Sequence, residues 1–221
     1  LQWKRLTLRY RLARLDGLNP GTDSVALFSN RYLAGHRLEY TMNDDLQIAI
    51  GEMVVFGGPG RTVDFGYLNP LLFFHGSQLN EDVNDNTLLF ADATIRPFSR
   101  TKLFGQLVID DFQIDHEARG DKEPTQYALR GIFDYTDVFD KTDIQLNYTR
   151  VSNWTYNQID PRNRYSYLGK PIAAVRGNDY DEARLSMRHW FTPVTRVSVS
   201  VLFRRQGEGR ITADWTEPWI L

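Results

Sequence analysis

Residues 31–54 read RYLAGHRLEYTMNDDLQIAIGEMV, and the fold of the chain turns on them. Tyr32, Ala34, His36, Leu38 and Tyr40 alternate with Arg31, Leu33, Gly35, Arg37 and Glu39. Leu46, Ile48, Ile50 and Val54 share one side of the run that follows. A period of two puts successive side chains on opposite faces of a strand. Asn43-Asp44-Asp45 between the runs is turn chemistry, so the stretch predicts an antiparallel hairpin with one apolar and one charged face.

The same pattern recurs in both directions. Leu6, Leu8, Tyr10 and Leu12 alternate with Arg5, Thr7, Arg9 and Arg11. Further runs centre on Leu89–Arg96, Leu103–Asp110, Tyr127–Tyr135, Ile144–Thr149, Ala183–Phe191 and Arg196–Phe203. Nine strands are expected, with a tenth starting near Arg210. Each approaches the ~9–11 residues that a tilted strand needs to cross a bilayer. The turns at residues 43–45, 97–100, 140–141 and 192–194 are short. The connections at 16–30, 57–86, 114–123 and 153–181 are long, and short and long alternate along the chain. Outer-membrane barrels have this asymmetry, with tight periplasmic turns and long external loops.

Composition is compatible with that architecture. The 221 residues suit one all-β domain or part of a larger one. Mean hydropathy is -0.44, and no apolar run approaches the ~20 residues of a spanning helix. A barrel strand shows lipid only at every second residue, so low average hydropathy does not argue against a membrane. Aromatic residues make up 13%, an excess that fits interfacial girdles. There is no cysteine, which removes disulfides and thiolate metal sites. The net charge of -2 gives no bulk attraction to nucleic acid. A soluble sandwich or closed soluble barrel would show the same alternation. Aromatics at strand ends, and Arg pairs such as Arg9/Arg11 and Arg184/Arg188 on the opposite face, favour a wet barrel interior over a solvated sheet.

The expected fold is therefore an all-β antiparallel transmembrane β-barrel in the bacterial outer membrane. Residues 1–221 form a single barrel segment whose N- and C-terminal parts are expected to lie outside this chain, because no signal peptide is visible.

Certain segments resemble the Wzi-type capsule-assembly family of outer-membrane barrels. These are Gly35-His36-Arg37-Leu38-Glu39-Tyr40, Ile50-Gly51-Glu52, Tyr67-Leu68-Asn69-Pro70, Asp85-Asn86, and Phe104 through Phe112. The matching part covers about residues 31–112. The resemblance implies a barrel with more strands than are seen here, and a role in organising or anchoring surface polysaccharide. Two other functions stay open: a porin or specific channel for anionic or sugar solutes, and an accessory barrel within a larger envelope complex.

Candidate site residues follow from the alternation. Arg37, Glu39, Asp92, Arg96, Asp110, Arg130, Asp134, Arg184 and Arg188 fall on the charged face, with Lys102 and Arg196. They form either a self-satisfied network or a surface for an anionic glycan, since the planar Arg fork grips carboxylates bidentately. Glu52 sits in the apolar register, where a carboxylate is costly. A β-bulge near Gly51 is expected to turn it inward, towards a partner such as Arg37. Tyr67, Asn69, Phe73 and Phe74 lie in a segment too apolar for solvent, expected to fold inward as a constriction. Docking on a neighbouring protein is the other possibility. The run Asn80–Asn86 is rich in oxygen ligands but lacks the spacing of a calcium loop, so no metal and no cofactor is expected. His36, His75, His116 and His189 stand in no nucleophile motif, and no enzymatic activity is expected. The expected partners are outer-membrane lipid, anionic surface polysaccharide and other envelope proteins, but no nucleic acid.

Overall fold

A computed structural model describes residues 1–17, 29–81, 84–111 and 125–213. Ten strands form one sheet, and every strand pairs antiparallel with its neighbours. They are β1 (Gln2–Trp3), β2 (Leu6–Arg14), β3 (Ser29–Thr41), β4 (Leu46–Pro59), β5 (Asn86–Ile95), β6 (Thr101–Asp111), β7 (Gln126–Tyr135), β8 (Thr142–Val151), β11 (Tyr180–Thr192) and β12 (Thr195–Gln206). Two-residue strands β9 (Ser166–Tyr167) and β10 (Lys170–Pro171) pair only with each other, inside the connection from β8 to β11. Two short helices, α1 (Phe65–Leu68) and α2 (Phe74–Glu81), occupy the connection from β4 to β5.

The order of the large sheet is the order of the chain, the connectivity of an up-and-down barrel. Its two ends, β1–β2 and β12, are not joined among the described residues. Strands β3 and β4 pair from Ser29↔Pro59 to Thr41↔Gln47, and the Asn43 side chain accepts from the amides of Asp45 (2.9 Å) and Leu46 (2.7 Å) to close their turn. All nine expected strands are present. Among the described residues no tenth strand starts near Arg210, where Ile211–Ala213 form a turn; residues 214–221 lie outside the described residues. The 114–123 connection, with His116, also lies outside them, as do Asp82 and Val83.

The registers fix two faces. One row runs Leu8, Leu38, Ile50, Ala91, Leu107, Leu129, and a parallel row runs Phe133, Leu146, Leu185, Val201. This apolar face carries much of the exposed hydrophobic surface, with Ile50, Leu107, Leu146, Leu185 and Val201 all exposed. A soluble fold would bury such rows; a bilayer covers them at ~25 cal/mol per Å² without a second sheet. The opposite, ionic face carries the row Glu39, Ala49, Asp92, Gln106, Arg130, Thr149, Glu182, Arg204.

Each face is covered near its long-loop end by a different connection. Ser152–Asp179 lies on the ionic face, where Tyr156 and Tyr165 join Val55, Leu88, Val108, Ala128 and Val151 in a buried cluster. The α1–α2 segment lies on the apolar face, where Tyr67 and Phe74 join Ala34, Val54 and Phe56.

Candidate functional site

On the ionic face most of the expected charges are paired. The Arg37 guanidinium grips Asp92 with two nitrogens (2.6 and 3.3 Å) and also donates to Glu39. Arg9 stands 3.8 Å from the other Glu39 oxygen. Asp134 takes Lys102 at 3.3 Å and the Gln145 amide at 2.6 Å. Arg96 has left the sheet and donates to the Asp44 carbonyl in the turn. Asp110 is buried and accepts the Tyr156 amide at 2.5 Å, holding the covering loop to β6. Arg37–Asp92 and Lys102–Asp134 are cross-strand ion pairs, which help to fix register.

Arg130 differs. It is exposed and makes no ion pair among the described residues. It lines a polar cavity of about 380 Å³ between the sheet and the covering loop. Gln106, Asn147, Thr149 and Arg184 share that wall, and Tyr156 and Tyr180 close it on the loop side. Glu182 is neutralised by Arg176 (2.7 Å) and Arg184 (3.5 Å), so the cavity keeps a net positive character. Arg188 lines a second cavity of about 590 Å³ at the short-turn end with Arg96, Arg100 and Lys102. Amide, hydroxyl, phenol and guanidinium groups on one wall are the donors and acceptors that a hydroxylated, carboxylated sugar needs.

The covering loop is the part that sequence reading missed. Arg31 is fully buried, and its guanidinium donates to the carbonyls of Arg162 (2.7 Å), Arg164 (2.6 Å) and Ser166 (3.2 Å), with Asp16 at 3.2 Å. The Tyr165 hydroxyl reaches the carbonyls of Met53 and Asn86, both at 3.0 Å. Asn86 and Asn163 exchange further bonds with the loop and with Asn84. Burial pushes the Tyr165 and Tyr156 hydroxyls above the ordinary phenol range, more so with Asp110 nearby. The aromatic and Asn content of 154–165 was the available signal for a packed loop.

Glu52 does not turn inward. Pairing runs through Gly51 without a bulge on either side. Gly51 is needed for another reason: a Cβ there would meet the Phe90 ring and the His36 carbonyl. Glu52 stays in the apolar row and is 2% exposed, because the N-terminus of α2 sits over it. It accepts the amides of Phe74 (2.7 Å) and His75 (3.4 Å), with His36 Nε2 at 3.3 Å and His75 Nδ1 at 3.4 Å. Two backbone amides, two nearby imidazoles and a helix N-terminus offset the cost of the buried carboxylate. Arg37, on the other face, is not its partner. Thr87 lies 3.3 Å from His75 Nε2, but its hydroxyl donates to Gln78 Oε1 at 2.7 Å, so the group is a clasp for α2.

The expected inward constriction is likewise corrected. Tyr67 and Phe74 pack on the apolar face against Phe56, His36 and Val54, with Phe56–Tyr67 ring centroids 4.7 Å apart. Tyr10 donates to the Tyr67 carbonyl at 2.8 Å. The Tyr67 hydroxyl donates to Asp85 (2.9 Å), which Arg61 grips with two nitrogens (2.5 and 2.9 Å). Burial and Asp85 together raise the Tyr67 hydroxyl well above the phenol range. Asn69 shapes the turn between the helices by accepting the Leu71 amide at 3.0 Å, and Phe73 projects outward at the tip. A segment this apolar avoids water by lying against the wall beside lipid, a solution that alternation within strands does not encode.

In comparison with known proteins, the family model described as Capsule assembly protein Wzi matches residues 12–217, nearly the whole chain. No curated protein and no solved structure matches.

Proposed function

The chain belongs to the Wzi family of capsule-assembly proteins, and from that premise we propose that its ionic face holds anionic surface polysaccharide at the outer membrane. The observation that carries this reading is the contrast between Arg37 and Arg130. Arg37 is locked between Glu39 and Asp92, whereas Arg130 faces a polar cavity whose lining carboxylate, Glu182, is paired with Arg176 and Arg184. A cation left unpaired beside amides and phenols suits a ligand carboxylate, which its fork can grip in two places. Arg184 supplies a second donor after neutralising only part of Glu182.

The loop from Ser152 to Asp179 supports an anchoring role over a conducting one. It packs on the ionic face through fully buried Arg31 and Tyr165, as a fixed cover. The channel reading requires that cover to move, and nothing specific favours it. The accessory-subunit reading has no observation of its own.

The test is binding of purified anionic capsular polysaccharide to the detergent-folded protein, compared with a neutral glucan. Arg130→Gln is expected to weaken the anionic ligand roughly tenfold or more, the loss of a charge-assisted pair. Unchanged binding in Arg130→Gln would remove the cavity from the account.

A further inference from the structure

Between α1 and α2 the chain descends the apolar face as a tip, residues 70–73, and does not touch the wall everywhere. A groove of about 490 Å³ is left between them, floored by Leu38, Ile50, Ala91 and Leu107 and roofed by the tip. Its size falls within the roughly 300–1,000 Å³ of ordinary ligand sites. Its lining is almost wholly apolar, and the polar groups at its upper end, Glu52 and His36, face each other across 3.3 Å. The wall below the groove is the exposed apolar belt, to which Ile50 and Leu107 themselves belong. The roof is exposed and apolar as well: Leu71 is 82% exposed and Phe73 57%. A roof of that composition is not built to stand in water.

We propose that this groove binds one fatty-acyl chain of a membrane lipid, in the leaflet on the long-loop side. The groove opens into the surface that the bilayer covers, so a hydrocarbon chain is the solute already at its mouth. Glu52 is buried, accepts two backbone amides and is flanked by two imidazoles, so the inner end offers nothing to a headgroup and selects for methylene. The tip then serves as a clip: lipid beside it is held from two sides, whereas lipid elsewhere on the belt touches one. This inference concerns the apolar face and goes beyond the polysaccharide reading, though it rests on the same placement in a membrane.

The experiment uses the full chain folded into vesicles of dilauroyl phosphatidylcholine doped with a phosphatidylcholine carrying a diazirine on one acyl chain. After illumination, adducts are mapped by peptide mass spectrometry. Adducts per residue on Ile50, Leu72 and Phe73 are expected to exceed those on Leu185, Val199 and Val201 roughly tenfold, the ratio that a modest affinity difference produces. Ala91→Trp fills the groove from the lipid side without touching the clasp and should bring the ratio to one. Ala93→Trp, one row away in the same strand, should leave it high. Should Ala91→Trp fail to fold, Leu107→Phe replaces it as the filling change. Even labelling of groove and belt, or a ratio unmoved by filling, overturns the groove while leaving the membrane placement intact. Labelling absent from both would instead overturn the membrane placement itself, and the groove with it.

Discussion

The Glu52 carboxylate accepts the backbone amide of Phe74 at 2.7 Å, across the apolar face of the sheet. A charged side chain on the lipid-facing row thus becomes the seat of a helix. The helix N-terminus supplies the positive end of a dipole, and its tip covers the charge from hydrocarbon. This pairing makes the connection from β4 to β5 a structural part of the wall.

Removing the seat should free the segment. Glu52→Ala leaves the Phe74 and His75 amides without their acceptor in apolar surroundings. The expected loss is about 3 kcal/mol, measured by urea unfolding in micelles. Protease cleavage between Gly60 and Asp85 should rise in parallel. Glu52→Gln keeps one acceptor and should fall between. Unchanged cleavage in Glu52→Ala would show that α2 is held by its aromatic contacts alone.

The ionic-face cover depends on Arg31 in the same way. Arg31→Met strands three loop carbonyls that the guanidinium now satisfies, and should cost about 3 kcal/mol or more. Arg31→Lys should rescue little, because an ammonium does not reproduce the planar fork. Proteolysis within residues 152–179 reports the effect directly. Resistance equal to the parent in both variants would contradict the role assigned to Arg31.

Two arginines on one face should behave oppositely. Arg37→Gln exposes the mutual repulsion of Glu39 and Asp92 and should lower stability by about 2 kcal/mol. Arg130→Gln breaks no ion pair and should stay within about 0.5 kcal/mol of the parent. Thermal unfolding of the two variants under identical detergent conditions separates them. Comparable destabilisation would mean that Arg130 is part of the network.

Alkaline titration tests the loop tyrosines. The hydroxyls of Tyr67, Tyr156 and Tyr165 are all raised by burial, first of all causes. A raised folded pKa means that the folded state holds the proton more tightly. Their stabilisation is therefore complete below ~10, the unfolded phenol value, and is lost as pH climbs towards the folded values. Phenolate absorbance should show these three groups silent until unfolding. In Tyr67→Phe one silent group disappears. Ionisation of Tyr67, Tyr156 and Tyr165 near ~10, with the fold intact, would contradict their burial.

The strands were legible because each is long enough to declare its period, and the hairpin at 31–54 shows both faces at once. The ionic row followed from the same parity, and Arg37, Glu39, Asp92 and Asp134 stand where alternation puts them. Parity failed where the decisive contacts came from outside the strand. Glu52 looked displaced by a bulge because its seat, α2, lies more than twenty residues downstream. Tyr67 to Phe74 looked like a plug because apolarity says only that water is avoided, and lipid avoids it as well as a lumen does. Arg31 stood in the charged register without being singled out, since its carbonyl partners belong to a loop without periodicity.

Everything above depends on which face of the sheet meets lipid. The chain has no cysteine, so each introduced thiol carries a unique spin label. Labels placed in turn along 184–188 and 198–202 in bilayers should alternate. Those at Leu185, Met187, Val199 and Val201 should relax with oxygen and ignore a water-soluble nickel chelate, and those at Arg184, Ser186 and Ser200 should do the reverse. Nickel access at Leu185 and Val201 equal to that at Ser186 and Ser200 would contradict the account.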